Sequence, residues 1–300
     1  MWYFSAFRFA VGIVFLSIAS LKDLKSRRVP NRLWVIMGII AMLILAAELI
    51  LVESADWEYF LFFIPIGIVF AEAFIDRPPI YSEGKLNVRV LGWLLLPVLT
   101  YVFLLNNFMD VIFDELLFLR LSMIIGVMLF TFILYFFYII YGGADAKAII
   151  TLAILVPSYP EIPNLTRHVI SSDLIEFMEI GFPFTLVILL NASLVVLIFP
   201  IVNFFLNLSK GDIDLPKMFF GYKKKVSELE DSFVWPMEYF EDGEMKTELL
   251  PRSDNEDKIE SLKRHDIEIV WATPKIPFII PITIGFIISF LIGNPIPYLL

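Results

Sequence analysis

The sequence predicts an all-α polytopic membrane protein of about eight transmembrane helices, carrying a small cytosolic β-containing subdomain. Three observations lead there. Of the 300 residues, 59% are hydrophobic, against about 45–50% for an ordinary soluble domain. The mean hydropathy is +0.80, and apolar runs approaching the ~20 residues of a bilayer span recur along the chain. One long polar stretch, residues 209–275, is the only segment with the composition of a soluble domain.

The apolar segments lie near residues 4–21, 33–52, 57–75, 89–106, 121–141, 144–159, 182–206 and 276–297. The first could be read as a signal peptide, but it has one basic residue, Arg8, near its start and five follow it closely, a pattern that retains the segment as a permanent span. The sixth is short and stopped by Pro157, so it is tolerable only if other helices enclose it. Within 209–275, the run Phe233–Phe240, then Asp242-Gly243, then Glu244–Leu250 reads as a hairpin. Residues 252–264 are polar and either helical or mobile, and Ile267–Trp271 alternates like a strand. The expected organisation is a transmembrane catalytic region over 1–208, a soluble subdomain over 209–275 and a C-terminal transmembrane helix over 276–300.

The absence of cysteine removes disulfides, thiolate nucleophiles and Cys-ligated zinc. Two histidines, His168 and His265, are too few for a histidine-based metal or Ser-His site. No metal or cofactor is expected. A net charge of −9 argues against nucleic acid as a partner.

Charge sets the expected topology. Assigning alternate connections to the cytosol, beginning with the loop after the first span, places 20 of the 23 basic residues there. That is the positive-inside pattern, with both termini external. Lys22, Lys25, Arg27, Arg28 and Arg32 contribute five, and residues 209–275 contribute eleven, beside 16 acids.

Carboxylates in or near hydrocarbon are costly and are functional candidates by default. Glu48 and Glu72 lie near span ends with simple apolar flanks and read as interfacial or packing residues. Asp23 and Asp145 are 122 residues apart, each at a junction between an apolar run and a basic or glycine-rich stretch. Both fall on the cytosolic side of the expected topology. Gly142-Gly143-Ala144 before Asp145 presents no bulky side chain, so a substrate or another helix can approach the backbone. The plainer reading of Asp145 is a capping residue at a helix junction.

Together these motifs resemble the archaeal preflagellin (archaellin) and type IV prepilin peptidases, membrane aspartic proteases with a Gly-x-Gly-Asp motif. The resemblance rests on Asp23 followed by Arg27-Arg28-Val29-Pro30-Asn31, and on Gly142-Gly143-Ala144-Asp145-Ala146-Lys147. Trp271-Ala272-Thr273-Pro274-Lys275-Ile276-Pro277-Phe278 also looks like the re-entry of archaeal members into the membrane after a soluble segment. Ala144 replaces the second glycine of the strict motif, and the cysteine-rich zinc module of bacterial relatives is absent, so their N-methyltransferase activity is not implied.

The resemblance implies an endopeptidase that removes a short basic leader from archaellin or pilin-like precursors at the cytosolic membrane boundary. Its catalytic residues would be Asp23 and Asp145, with Gly142, Gly143, Ala144 and Lys147 in support. Two facing carboxyls cannot both ionise cheaply and titrate as a pair. The ionised member activates water, and the protonated one polarises the scissile carbonyl. Helix-end polarity, with Asp23 closing one helix and Asp145 opening another, is expected to divide these roles. Two other readings make different demands. A proton- or cation-coupled transporter calls for acids near the midplane and inverted repeats. A presenilin-like intramembrane protease calls for a Tyr-Asp first motif, whereas Lys22 precedes Asp23 here.

Overall fold

The computed structural model describes residues 2–82, 85–109, 115–140, 142–166, 172–241, 243–251 and 256–296. The chain folds as two compact units. One comprises residues 1–192 and 278–300, the other residues 193–277.

The first unit is a helical bundle. In chain order it contains α1 (Trp2–Ser26), α2 (Asn31–Leu51), a 3-10 turn (Trp57–Phe62) running into α3 (Phe63–Glu72), and a two-stranded ribbon of β1 (Tyr81–Ser82) and β2 (Lys85–Leu86). There follow α4 (Val88–Asn107), α5 (Leu116–Phe136), α6 (Gly143–Leu155), α7 (Ser172–Gly181), and then α8 (Phe184–Val196), which carries the chain out of this unit. After the second unit the chain returns as α12 (Ile279–Ile292). Among the described residues, α1, α2, α4, α5 and the stretch Phe184–Lys210 are long and apolar enough to cross a membrane; α12 is apolar but shorter. The expected segment at 57–75 is broken by its 3-10 turn. The connection expected between residues 158 and 181 contains α7, whose apolar pairs Leu174-Ile175 and Phe177-Met178 recur at helical spacing.

The short sixth helix is accounted for by its surroundings. Every residue from Ala148 to Val156 is buried, and α6 packs against α2, α5, α1 and α12. A helix apolar all round belongs in the interior of a bundle, where it has no lipid thickness to match. Lipid tails are as apolar as leucine, so helices in a membrane are held by close packing and interhelical hydrogen bonds rather than by release of water. Both occur here. On α12, Gly285 lies so close to α8 that a Cβ would stand 2.6 Å from Ala192 N and 2.7 Å from Ile188 O. Asn191 Nδ2 donates to Ser289 Oγ at 2.8 Å, and Ser20 and Thr283 share a hydrogen bond of 2.7 Å between α1 and α12. Such bonds contribute about 0.6 kcal/mol each, up to roughly 2.

The two acids read as interfacial or packing residues both hold ion pairs. Arg8 donates to Glu48 at 2.6 Å, with side chains only 3% and 13% exposed. Glu72 accepts from Arg77 Nε at 2.8 Å and from Trp93 Nε1 at 2.7 Å.

The second unit opens with α9 (Ile198–Lys210), closed by Gly211 in the left-handed region at φ 76°. Next come α10 (Lys217–Phe220) and β3 (Tyr222–Lys225), then β4 (Val234–Pro236), β5 (Glu238–Glu241) and β6 (Glu244–Thr247). The unit continues with α11 (Glu256–Arg264) and β7 (Ile269–Pro274). The last strand is central in an antiparallel sheet of order β3-β7-β4. The expected hairpin is β5–β6, with Gly243 at φ 86° in its turn; the upstream part of that run, β4, pairs with β7 instead. Val226, Leu229, Val234, Ile259, Leu262 and Val270 form the main core beneath this sheet. Asn207 Nδ2 fastens α9 to the carbonyls of Met218 and Gly221 at 2.8 and 2.7 Å. His265 is exposed and stacks on Phe240; His168 lies outside the described residues.

Candidate active site

Asp23 sits in the last turn but one of α1 and is buried, at 8% exposed. The helix ends just beyond it, where Arg27 takes a left-handed φ of 54° and its N–H returns to the Asp23 carbonyl at 2.9 Å. Two groups address the Asp23 carboxylate: the Arg27 guanidinium by its charge, and the backbone N–H of Ile279 by a hydrogen bond. Ile279 is the first residue of α12. The N-terminus of the last apolar helix, with its unpaired amides and positive dipole end, is therefore set on Asp23. Sequence reasoning missed this contact, because no local pattern around Ile276-Pro277-Phe278 names the residue that the helix will meet.

Asp145 lies in the first turn of α6. Its N–H and that of Ala146 both bond the Gly142 carbonyl, at 3.0 and 3.1 Å, which starts the helix. The side chain turns back over this start: a Cβ on residue 142 would fall inside the van der Waals envelope of the Asp145 carboxylate. At Gly143 an added Cβ meets only the Tyr135 hydroxyl, at an ordinary 3.7 Å. Ala144 is half-buried and packs against the bundle core.

The structure sets the two aspartates at the ends of adjoining helices. Helices α1, α6 and α12 pack against one another, and Asp145 lies within the electrostatic reach of Asp23. Asp23 consequently stands at two helix ends of opposite polarity, the C-terminus of its own helix and the N-terminus of α12. Helix-end polarity does not divide the roles within the pair.

Lys147 is directed elsewhere. Its Nζ donates to Asn31 Oδ1 at 2.9 Å, lies 5.5 Å from the centre of the Phe74 ring and feels the charge of Asp76. Positions two apart on a helix do not face each other. Lys147 instead ties α6 to the start of α2. Asn31, the first residue of α2, accepts from this lysine through its side-chain oxygen, and the cap position is Pro30.

The sequence is similar to known proteins along most of its length. The family model described as Archaeal Peptidase A24 C-terminus Type II matches residues 214–294, the part of the chain that ends with α12. The preflagellin peptidase of Methanococcus voltae is 25% identical over 297 residues, covering 96% of both chains. That of Methanococcus maripaludis is 24% identical over 297 residues with the same coverage. The preflagellin peptidase of Methanocaldococcus jannaschii is 24% identical over 223 residues, 72% of this chain and 89% of the relative. Along most of its length, then, the chain is similar to archaeal preflagellin peptidases, and its C-terminal part matches the model of an archaeal peptidase family.

Proposed function

We propose that this protein is a membrane-embedded aspartic endopeptidase. In this reading it removes the short basic leader from archaellin or pilin-like precursors at the cytosolic face of the membrane. The observation that carries the reading is that Asp145, on a helix packed against α1, feels the charge of Asp23, 122 residues earlier. The names of the three relatives support the substrate class, and the positive-inside count supports the cytosolic face.

The chemistry follows from the pair. Two adjacent carboxyls hold one proton between them. The ionised member takes a proton from a bound water as that water attacks the scissile carbonyl carbon. The protonated member hydrogen-bonds the carbonyl oxygen, and the proton taken from water is then delivered to the leaving amine. The Ile279 N–H and Arg27 hold Asp23 in place; Gly142 leaves room for Asp145.

Co-expression with archaellin and pilin precursors tests the reading. Asp23→Asn and Asp145→Asn are each expected to leave the precursor at full size while the enzyme still inserts in the membrane. Near-normal processing by either variant would sink the assignment.

A further inference from the structure

Two apolar cavities open along one face of α5. The larger, about 630 Å³, lies among α3, α4 and α5, and its α5 wall includes Ser122, Gly126, Leu129 and Phe132. The second, about 570 Å³, is lined by Phe132, Tyr135, Phe136 and Tyr138. Phe132 belongs to both. Residues three and four apart share a helix face, so the two cavities follow a single stripe from Ser122 to Phe136. At ~1.5 Å per residue this stripe is roughly 21 Å long, a large part of the ~30 Å hydrocarbon thickness.

The stripe has an end and a floor. Its end is the candidate site, where the Tyr135 hydroxyl lies beside Gly143. Its floor is Ser122 and Gly126, and a Cβ on Gly126 would meet nothing within 4 Å. Small residues four apart allow a second helix to approach closely, and here no helix of the described chain occupies that space. A lipid tail needs neither the length of a span nor a terminus beside two carboxylates.

We propose that this face of α5 docks the apolar helix of the precursor, placing the N-terminal end of that helix, where the leader is cut, beside Gly143 and Asp145. The inference rests on the endopeptidase reading above.

The test uses the full chain in phosphatidylcholine proteoliposomes with two substrates. One is a precursor with leader and apolar helix; the other is a short peptide holding only the leader and the cleavage junction. Gly126→Leu fills the floor and is expected to raise KM for the full precursor at least tenfold, with kcat and cleavage of the short peptide unchanged. A photo-crosslinking residue at Met123, in the Asp145→Asn background, is expected to capture the precursor helix. An unchanged KM in Gly126→Leu, or crosslinks to lipid alone, overturns the docking proposal. So does an equal loss on both substrates, which would mean damage to the site itself. If wild-type protein cleaves neither substrate, the endopeptidase reading fails instead. If only the full precursor is cleaved, KM and the crosslink decide.

Discussion

The carboxylate of Asp145 occupies the space that a side chain on residue 142 would need, so Gly142 is the residue that lets Asp145 fold back over the start of its own helix. The clash is with the mobile end of a side chain, and an added methyl therefore displaces the carboxylate rather than the backbone. Gly142→Ala is expected to keep its unfolding temperature but lose precursor cleavage by about 100-fold, the scale associated with a ~1 Å misplacement of a reacting group. Gly143→Ala, which meets only ordinary contact, is expected to stay within a few-fold of wild type. Equal activities for the two variants would refute this account.

The buried pair of Arg8 and Glu48 makes a prediction about stability. Removing one partner strands a charge in a dry setting, at a cost of about 3–5 kcal/mol. Arg8→Met and Glu48→Gln are each expected to lower the unfolding temperature in detergent, and Arg8→Met with Glu48→Met to recover much of the loss. A double variant no better than the singles would show that the pair is not the unit at stake.

Lys217 predicts a pH dependence. Burial pushes its ammonium down, but hydrogen bonds and attraction from Asp214, at 2.8 Å, and Glu238, at 2.7 Å, outweigh burial and leave it raised above the ordinary lysine value. A group raised on folding stabilises fully below its unfolded value, ~10.4 for lysine, and loses that contribution as pH climbs through the folded value. The advantage of wild type over Lys217→Met in thermal unfolding is therefore expected to be flat from about pH 7 to 9 and to shrink above roughly pH 10.5. An advantage that disappears already near neutrality would contradict this.

Topology is open to direct labelling because the chain has no cysteine. Ser227 is exposed in the polar segment, and Ser227→Cys is expected to react with a membrane-impermeant maleimide only after the cytosolic face is opened. Labelling from outside in intact cells would reverse the proposed orientation and move the candidate site to the other face.

Much of this could be read from the sequence because the signals are local. Apolar runs mark helices, and Asp242-Gly243 marks the β5–β6 turn. The shortness of the run before Pro157 already demanded an enclosed helix, and α6 is one. The two aspartates stand out because acids at span ends are expensive wherever they occur. What escaped is pairing at a distance. Nothing near Arg8 names Glu48, nothing near Asn31 names Lys147, and β7 inserts between β3 and β4 although it comes last in the unit. The helix α7 escaped for a different reason, since its ten residues display fewer than three turns of periodicity.

The placement of α12 bears on how the protein comes into being. Both aspartates are translated within the first half of the chain, but the amide that holds Asp23 belongs to Ile279, and Ser20 finds its partner in Thr283, 263 residues later. A nascent chain inserted as far as α6 thus contains both acids without the support that fixes the first of them. In the proposed enzyme the contacts around the first aspartate are therefore completed only when the final helix is in place.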